Sequence, residues 1–216
     1  MSFEDFIDKE LMELYEIHDF KHATAILINE FPNEYNELVK ALKEFRFTID
    51  DVISLGGNES NIPKKFSEIL RPLGWMEKNL GAELNVYEIK NKNSKELKSS
   101  ISHGTHKVDY LKKRVAFDLE WNSKDQTFDR DLYAFRAFFE YDAISVGVLV
   151  TRSNDLDSLF QELGEFKDND GKIKMVKSKY GASTTHMGKL LPRLEAGRNG
   201  GCPVLVFGIT RKLLKK

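Results

Sequence analysis

Hydrophobic positions in the first third of the chain recur at helical spacing. "FEDFIDKELMELY" places Phe3, Phe6, Leu11 and Leu14 at roughly helical intervals, and "HATAILINEF" continues the pattern. After Pro32, "NEYNELVKALKEF" brings Tyr35, Leu38, Leu42 and Phe45 to one face. "NIPKKFSEILRPLGW" predicts a short helix with Pro63 near its start and Gly74 at its end. From about residue 83 the period shortens to two. "AELNVYEIK" and "KRVAFDLEW" predict strands, with the polar "NKNSKELKSSISHGTH" between them reading as a loop. "FDRDLYAFRAFFEYD" returns to helical spacing, with Leu132, Phe135, Phe138 and Phe139 together. "AISVGVLVT" is an uninterrupted apolar run, the mark of a strand buried on both faces. A short helix follows in "NDLDSLFQELG", capped by Ser153 or Asn154. Then come a flexible segment, "EFKDNDGKIKMVKSKYGAS", a helix in "THMGKLLPRLEAGR" and a last strand, "CPVLVFGIT". The pattern predicts an α/β fold, a mixed central β-sheet flanked by helices in a single domain over 1–216. Residues 1–80 form a mainly helical N-terminal part and 83–211 the α/β core.

Composition narrows the function. With 216 residues, 41% hydrophobic and 31% charged, the chain can bury a full core. No apolar run approaches the ~18–20 residues a bilayer span needs, and the acidic N-terminus is no secretory signal. Cys202 is the only cysteine, which excludes an internal disulfide and a multi-cysteine zinc site and points to a reducing cytoplasm. The net charge of -1 conceals an asymmetry, because residues 1–60 carry 14 acidic against 5 basic side chains and the remainder is basic. Local basic stretches over 90–114 and 172–198 suit an anionic partner such as nucleic acid, although solvated loops have the same composition.

The candidate chemistry lies in "HKVDYLKKRVAFDLEWNS". On a strand, Asp118 and Glu120 project to one face while Phe117, Leu119 and Trp121 take the other. If 109–121 folds back as a hairpin, Asp109 arrives at the same place. Three carboxylates at one point repel one another, a penalty that a divalent cation removes. Such an ion polarises a phosphoryl oxygen and supplies a nucleophilic water. The same acids on an open strand face also suit simple solvation, and the spacing alone leaves both readings standing. "HGTH", with His103 and His106, has no third nitrogen or sulfur ligand nearby and reads as a loop rather than a metal site.

"VDYLKKRVAFDLEWNS", followed by the aromatic-rich helix and "AISVGVLV", resembles the PD-(D/E)xK nucleases, most closely the BglII and BstYI type of type II restriction endonuclease, with BamHI more distant. "IHDFKHATAIL" is similar to that family's N-terminal strand and helix, "LGWMEK" to its next helical piece, and "EAGRNGGCPVLVFGIT" to its glycine loop and last core strand. The likeness spans roughly residues 11–211. Two departures stand out: the wider superfamily has Lys where Glu120 stands, and Asp118 occupies a slot usually held by Glu.

The resemblance implies a restriction-endonuclease-like core and a type II site-specific deoxyribonuclease that hydrolyses phosphodiesters in double-stranded DNA. It further implies Mg2+, with Mn2+ able to substitute, and a short palindromic site, by default centred on GATC and leaving a 5′ overhang. Asp109 and Asp118 would hold the metal, Glu120 would orient water, and Glu77 is either a fourth acid reaching in from a helix or a surface carboxylate. Lys112, Lys113 and Arg114 would hold phosphates. Asn122 and Ser123, with Ser183, Thr184, Thr185, His186 and Lys189 at a helix N-terminus, are candidates for contacting DNA, one of the Ser183–Thr184 pair also capping that helix. Arg198 would meet the backbone. A palindrome predicts a homodimer, for which the aromatic helix offers an interface, and a restriction-modification system predicts a partner DNA methyltransferase. A repair nuclease of the same fold and a non-catalytic DNA-binding protein are the alternatives.

Overall fold

The computed structural model describes residues 3–54, 60–91, 94–168 and 170–215, without the side chains of His103 and Thr105. A mixed sheet runs through the centre. Its strands are β1 (Tyr15–Phe20), β2 (Met76–Asn91), β3 (Ser94–Lys112), β4 (Val115–Glu120), β5 (Val146–Arg152) and, after a small two-stranded ribbon of β6 (Glu165–Lys167) and β7 (Ile173–Met175), β8 (Val204–Ile209). The order across the six-stranded sheet is β1-β8-β5-β4-β3-β2. β4, β5 and β8 are mutually parallel, whereas β1, β3 and β2 join antiparallel.

Helices cover both faces, so the central strands alternate between two apolar layers instead of between apolar and wet sides. One layer takes Val115, Phe117, Leu119 and Trp121 from β4. It packs them beneath α1 (Lys9–Leu14), α2 (Ala23–Glu30), α3 (Pro32–Glu44), α4 (Ile49–Ile53) and α5 (Asn61–Leu70). The other takes Ala116 and Leu149 beneath α6 (Thr127–Glu140). Three further helices complete the fold: α7 (Leu156–Glu162), α8 (Val176–Lys179) and α9 (Met187–Glu195). The apolar run "VGVLVTR" is buried along its whole length, as its composition predicts.

The phenylalanines of α6 are consumed by this core. Phe128, Leu132, Phe135 and Phe138 are buried, and the Phe135 ring lies so close to β5 that a Cβ at Gly147 would meet it at 2.4 Å. Most of the aromatic excess of that helix is therefore explained within one chain, while Phe139 is only partly buried and Tyr133 is exposed.

Three expectations need correction. The polar stretch before His106 is not a loop: its described part belongs to β3, which with β2 makes a long hairpin arm, exposed along most of its length. Because the outer arm has no buried face, the alternation that reveals a strand is missing from its sequence. The segment after Gly164 is likewise not simply flexible, since it holds the β6–β7 ribbon and α8. At α9, neither Ser183 nor Thr184 caps the helix. Asn154 reaches across, its Oδ1 accepting from the Gly188 N–H at 3.2 Å and contacting His186 Nδ1 at 2.7 Å.

A candidate active site at the open end of a hairpin

β3 and β4 form a tight hairpin in which Lys112 pairs with Val115, Leu111 with Ala116 and Tyr110 with Phe117. Lys113 makes the turn possible with a left-handed backbone, φ 48°. Beyond Tyr110 the regular pairing stops at a bulge in β3, and there the Asp109 backbone N–H donates to the Asp118 side chain, Oδ1 at 2.7 Å. Asp118 and Glu120 share the parity of Ala116 on the α6 side of the sheet, and this hydrogen bond brings Asp109 beside them. The structure thus brings the acidic triplet together.

It does not leave the triplet in solvent. Asp118 is 2% exposed and Glu120 6%, both sealed by α6. Among the described residues no three Asp, Glu, His or Cys side chains are drawn in as an ion would hold them.

Sequence reasoning missed a fourth acid. Asp131, in the second turn of α6, is 2% exposed and faces the same strand. Its Oδ1 accepts from Arg130 Nε at 3.0 Å and Nη2 at 2.8 Å, while Arg130 Nη2 also lies 3.6 Å from Glu120 Oε1. Burial raises the affinity of all four carboxyls for protons, and their neighbours add to it. Asp118 is pushed well above the usual range by burial, then by Asp131 and Asp109. Burial and Asp131 push Glu120 up to about 8, and burial pushes Asp131 up to about 6 against the pull of Arg130. Asp109 is raised by burial although Lys107 and Arg130 oppose the shift. Asp118 Oδ2 and Asp131 Oδ2 are buried with no hydrogen-bond partner.

Beside the acids opens a cleft of about 590 Å³, with Asp109, Glu120, Asn122, Ser123, Arg71 and Lys107 among its walls. That is the volume of an ordinary small-ligand pocket, ~300–1,000 Å³, and suits a short piece of one strand rather than a duplex. Glu77 lines it too, but from β2 and not from a helix, and in an ion pair with Lys107. The Arg71 guanidinium stacks 4.7 Å over the Tyr110 ring, and Tyr110 Oη lies 2.6 Å from Ser67 Oγ. Arg71 and Lys107 thus join Arg130 as cations near the acids, on the cleft side of Asp109. Arg71 escaped the sequence reading because it sits far from the triplet in the chain.

The predicted phosphate holders lie elsewhere. Lys112, Lys113 and Arg114 occupy the turn end of the hairpin, roughly 10–13 Å along the strand from Asp118 by the rise per residue, and each is matched to an acid. Lys112 Nζ binds both Glu37 oxygens at 2.6 and 2.7 Å and the Leu73 carbonyl at 2.8 Å. Lys113 meets buried Glu34 at 3.2 Å, and Arg114 meets Asp142 at 2.5 Å. Arg198 pairs with Asp129, as does Arg193.

The two expected recognition segments are joined to one another. Thr185 N–H donates to the Ser123 carbonyl at 2.9 Å, Asp125 N–H to the Ser183 carbonyl at 2.9 Å, and Lys124 forms a bridge with Thr184. Ser183 is exposed, and His186 and Lys189 are half-buried at the surface. Thr184 is engaged, its Oγ1 accepting from buried Arg152 and donating to the Gly181 carbonyl. Thr185 is fully buried, its Oγ1 without a hydrogen-bond partner. Asn122 donates to the Lys179 carbonyl at 3.3 Å, leaving its own oxygen partnerless. Of the two histidines in "HGTH", the His103 side chain lies outside the described residues, and His106 packs edge-on to Tyr133 at 4.9 Å.

A buried strand bearing acids, a facing acid on its hairpin partner and helices on both sides of a mixed sheet find their counterpart in one family model, restriction endonuclease BglII/BglIII, which matches residues 15–209. The chain belongs to this family. No curated protein matches it. As a BglII-type enzyme it is a type II site-specific deoxyribonuclease, a hydrolase that binds and cleaves DNA. Among the described residues of this BglII-family chain, no helix is long and apolar enough to cross a membrane.

Proposed function

We propose that the chain is a divalent-metal-dependent restriction endonuclease, using Mg2+ with Mn2+ as a substitute, that cuts both strands of a short palindrome as a homodimer. The observation that carries this reading is the Asp118 carboxylate, buried beside Asp109 with one oxygen lacking any donor. The donors fit a hard cation, since Asp109, Asp118 and Glu120 offer only carboxylate oxygen. When bound, the ion would polarise the scissile phosphate and acidify water. Asp118 and Asp109 would hold it.

The protein's own groups supply the rest. Glu120, raised by burial and by Asp131 and hydrogen-bonded to Ser123, would take a proton from the attacking water. Arg71 and Lys107 stand on the Asp109 side of the cleft, placed to bind a phosphate. Glu77 tethers Lys107 and is a positioning residue in this account. Asn122 and Ser123 at the cleft, with Ser183, His186 and Lys189 beyond the bridge, would face DNA, and the engaged Thr184 and Thr185 would support them. A site centred on GATC with a 5′ overhang, a partner methyltransferase and a location in the cytoplasm follow from the family resemblance as further parts of the proposal.

Incubating the chain with plasmid and Mg2+, then sequencing the fragment ends, tests the whole reading. Discrete fragments with one shared end sequence, absent in EDTA, are expected. Smearing without a shared sequence would remove site specificity, and equal cutting in EDTA would remove the metal.

A further inference from the structure

Asp131 lies outside the acidic triplet, yet it bears more heavily on Asp118 and Glu120 than Asp109 does. Two features separate it from an ordinary helix carboxylate. It is 98% buried, facing β4 among Phe128, Leu132 and Phe135. Its Oδ2 and Asp118 Oδ2, on the strand it faces, meet no N–H or hydroxyl donor, and besides Arg130 the polar neighbour of Asp131 is the Glu120 carboxyl, with which it shares a hydrogen bond when Glu120 holds its proton. A sealed carboxylate oxygen without a donor is costly, and here two occur on elements packed against each other.

Arg130 shows what is missing. Its side chain is 63% exposed and leans in from solvent, Nη2 lying 2.8 Å from Asp131 and 3.6 Å from Glu120. A guanidinium thus stands beside these acids on a flexible, water-facing tether. An acid near a helix N-terminus gains from the helix dipole wherever it points, but that benefit does not require burial against a second acid.

We propose that Asp131 is a fourth carboxylate of the metal site, its free Oδ2 binding a divalent cation together with Asp109 and Asp118, and that Arg130 stands in for the cation until it arrives. This rests on the metal-dependent reading above and adds a ligand from α6 to it. It also assigns Arg130 a role as a competing, displaceable charge.

The test is Mn2+ binding to the metal-stripped full chain without DNA, followed by electron paramagnetic resonance and calorimetry. Asp131→Asn is expected to weaken binding tenfold or more, and Arg130→Gln to tighten it severalfold, because one removes a ligand and the other a competitor. In EDTA, Asp131→Asn is expected to melt higher than the parent, since a repelled charge is gone. A purely structural Asp131 would instead melt lower when changed, with Mn2+ affinity unaltered, and that outcome overturns the proposal. Should Asp131→Asn fail to fold, Arg130→Gln decides: unchanged or weaker affinity overturns it. Loss of binding in Asp118→Asn with parental affinity in both α6 variants would refute this inference alone. A parent chain that binds no Mn2+ at millimolar concentration would refute the metal-dependent reading itself.

Discussion

The β3–β4 hairpin has two ends with opposite electrostatics. At the turn, each cation has an acid: Lys112 with Glu37, Lys113 with Glu34, Arg114 with Asp142. At the open end, Asp109, Asp118, Glu120 and Asp131 gather on one face with Arg130 leaning over them, and two of their oxygens face no donor. The strands are the same. What differs is which distant elements arrive. α3 brings Glu34 and Glu37 to the turn, whereas α6 brings one more acid to the open end. A paired end holds the fold together and an unpaired end stores a demand for positive charge. The contrast is a physical criterion for separating structural ionic groups from functional ones.

The largest effect expected is at the open end. Asp118→Asn should lower plasmid cleavage by about three decades, corresponding to several kcal/mol of lost charge stabilisation at the phosphate, while DNA binding in a filter or gel assay changes little. Cleavage close to the parental rate would show that the open end is not the catalytic centre.

The second effect concerns pH. Carboxyls raised in the folded state bind protons more tightly there than in the unfolded chain, so stability is greatest below their unfolded values near 4 and falls as pH rises through the folded ones. With Asp131 at about 6 and Glu120 at about 8, the metal-free protein should lose on the order of a few kcal/mol between pH 5 and 9. Urea melts in EDTA measure this, and millimolar Mg2+ should flatten the slope. A flat profile without metal would mean that the acids are not in competition.

At the turn, Lys112→Met should cost about 1–3 kcal/mol by stranding half-buried Glu37, with activity per folded molecule preserved. Loss of DNA affinity without loss of stability would return Lys112 to the phosphate-binding role that its sequence neighbourhood suggests. Arg114→Ala should do least, under about 1 kcal/mol, because Asp142 is largely exposed and surface pairs contribute little. Its urea midpoint should shift slightly and the salt dependence of DNA binding should stay constant.

The legible parts of the molecule are those whose signal is local. β4, β5, β8 and α6 announce themselves through apolar runs and helical spacing, Asp118 and Glu120 through strand parity, and Asp109 through the hairpin. Asp131 was hidden because "DRDLY" reads as an ordinary acidic helix start, and nothing within the helix reveals that it faces a strand bearing two acids. The pairing of the basic run at 112–114 was hidden for the converse reason, since the acids that meet Lys112 and Lys113 lie some 75 residues away. The depth of Asp118 was equally invisible, for alternation separates the faces of a strand but does not say which one will be roofed.

One feature of the surface has a mechanical consequence. Backbone bonds clasp residues 123–125 to 183–185, and Arg152, buried beneath, grips the Trp121 carbonyl on one side and Thr184 on the other. The two loops therefore behave as a single stiff plate fastened to the end of β4. Pressure on either loop is felt at Trp121, next to Glu120, and a variant that reshapes one of them will need a compensating change in the other.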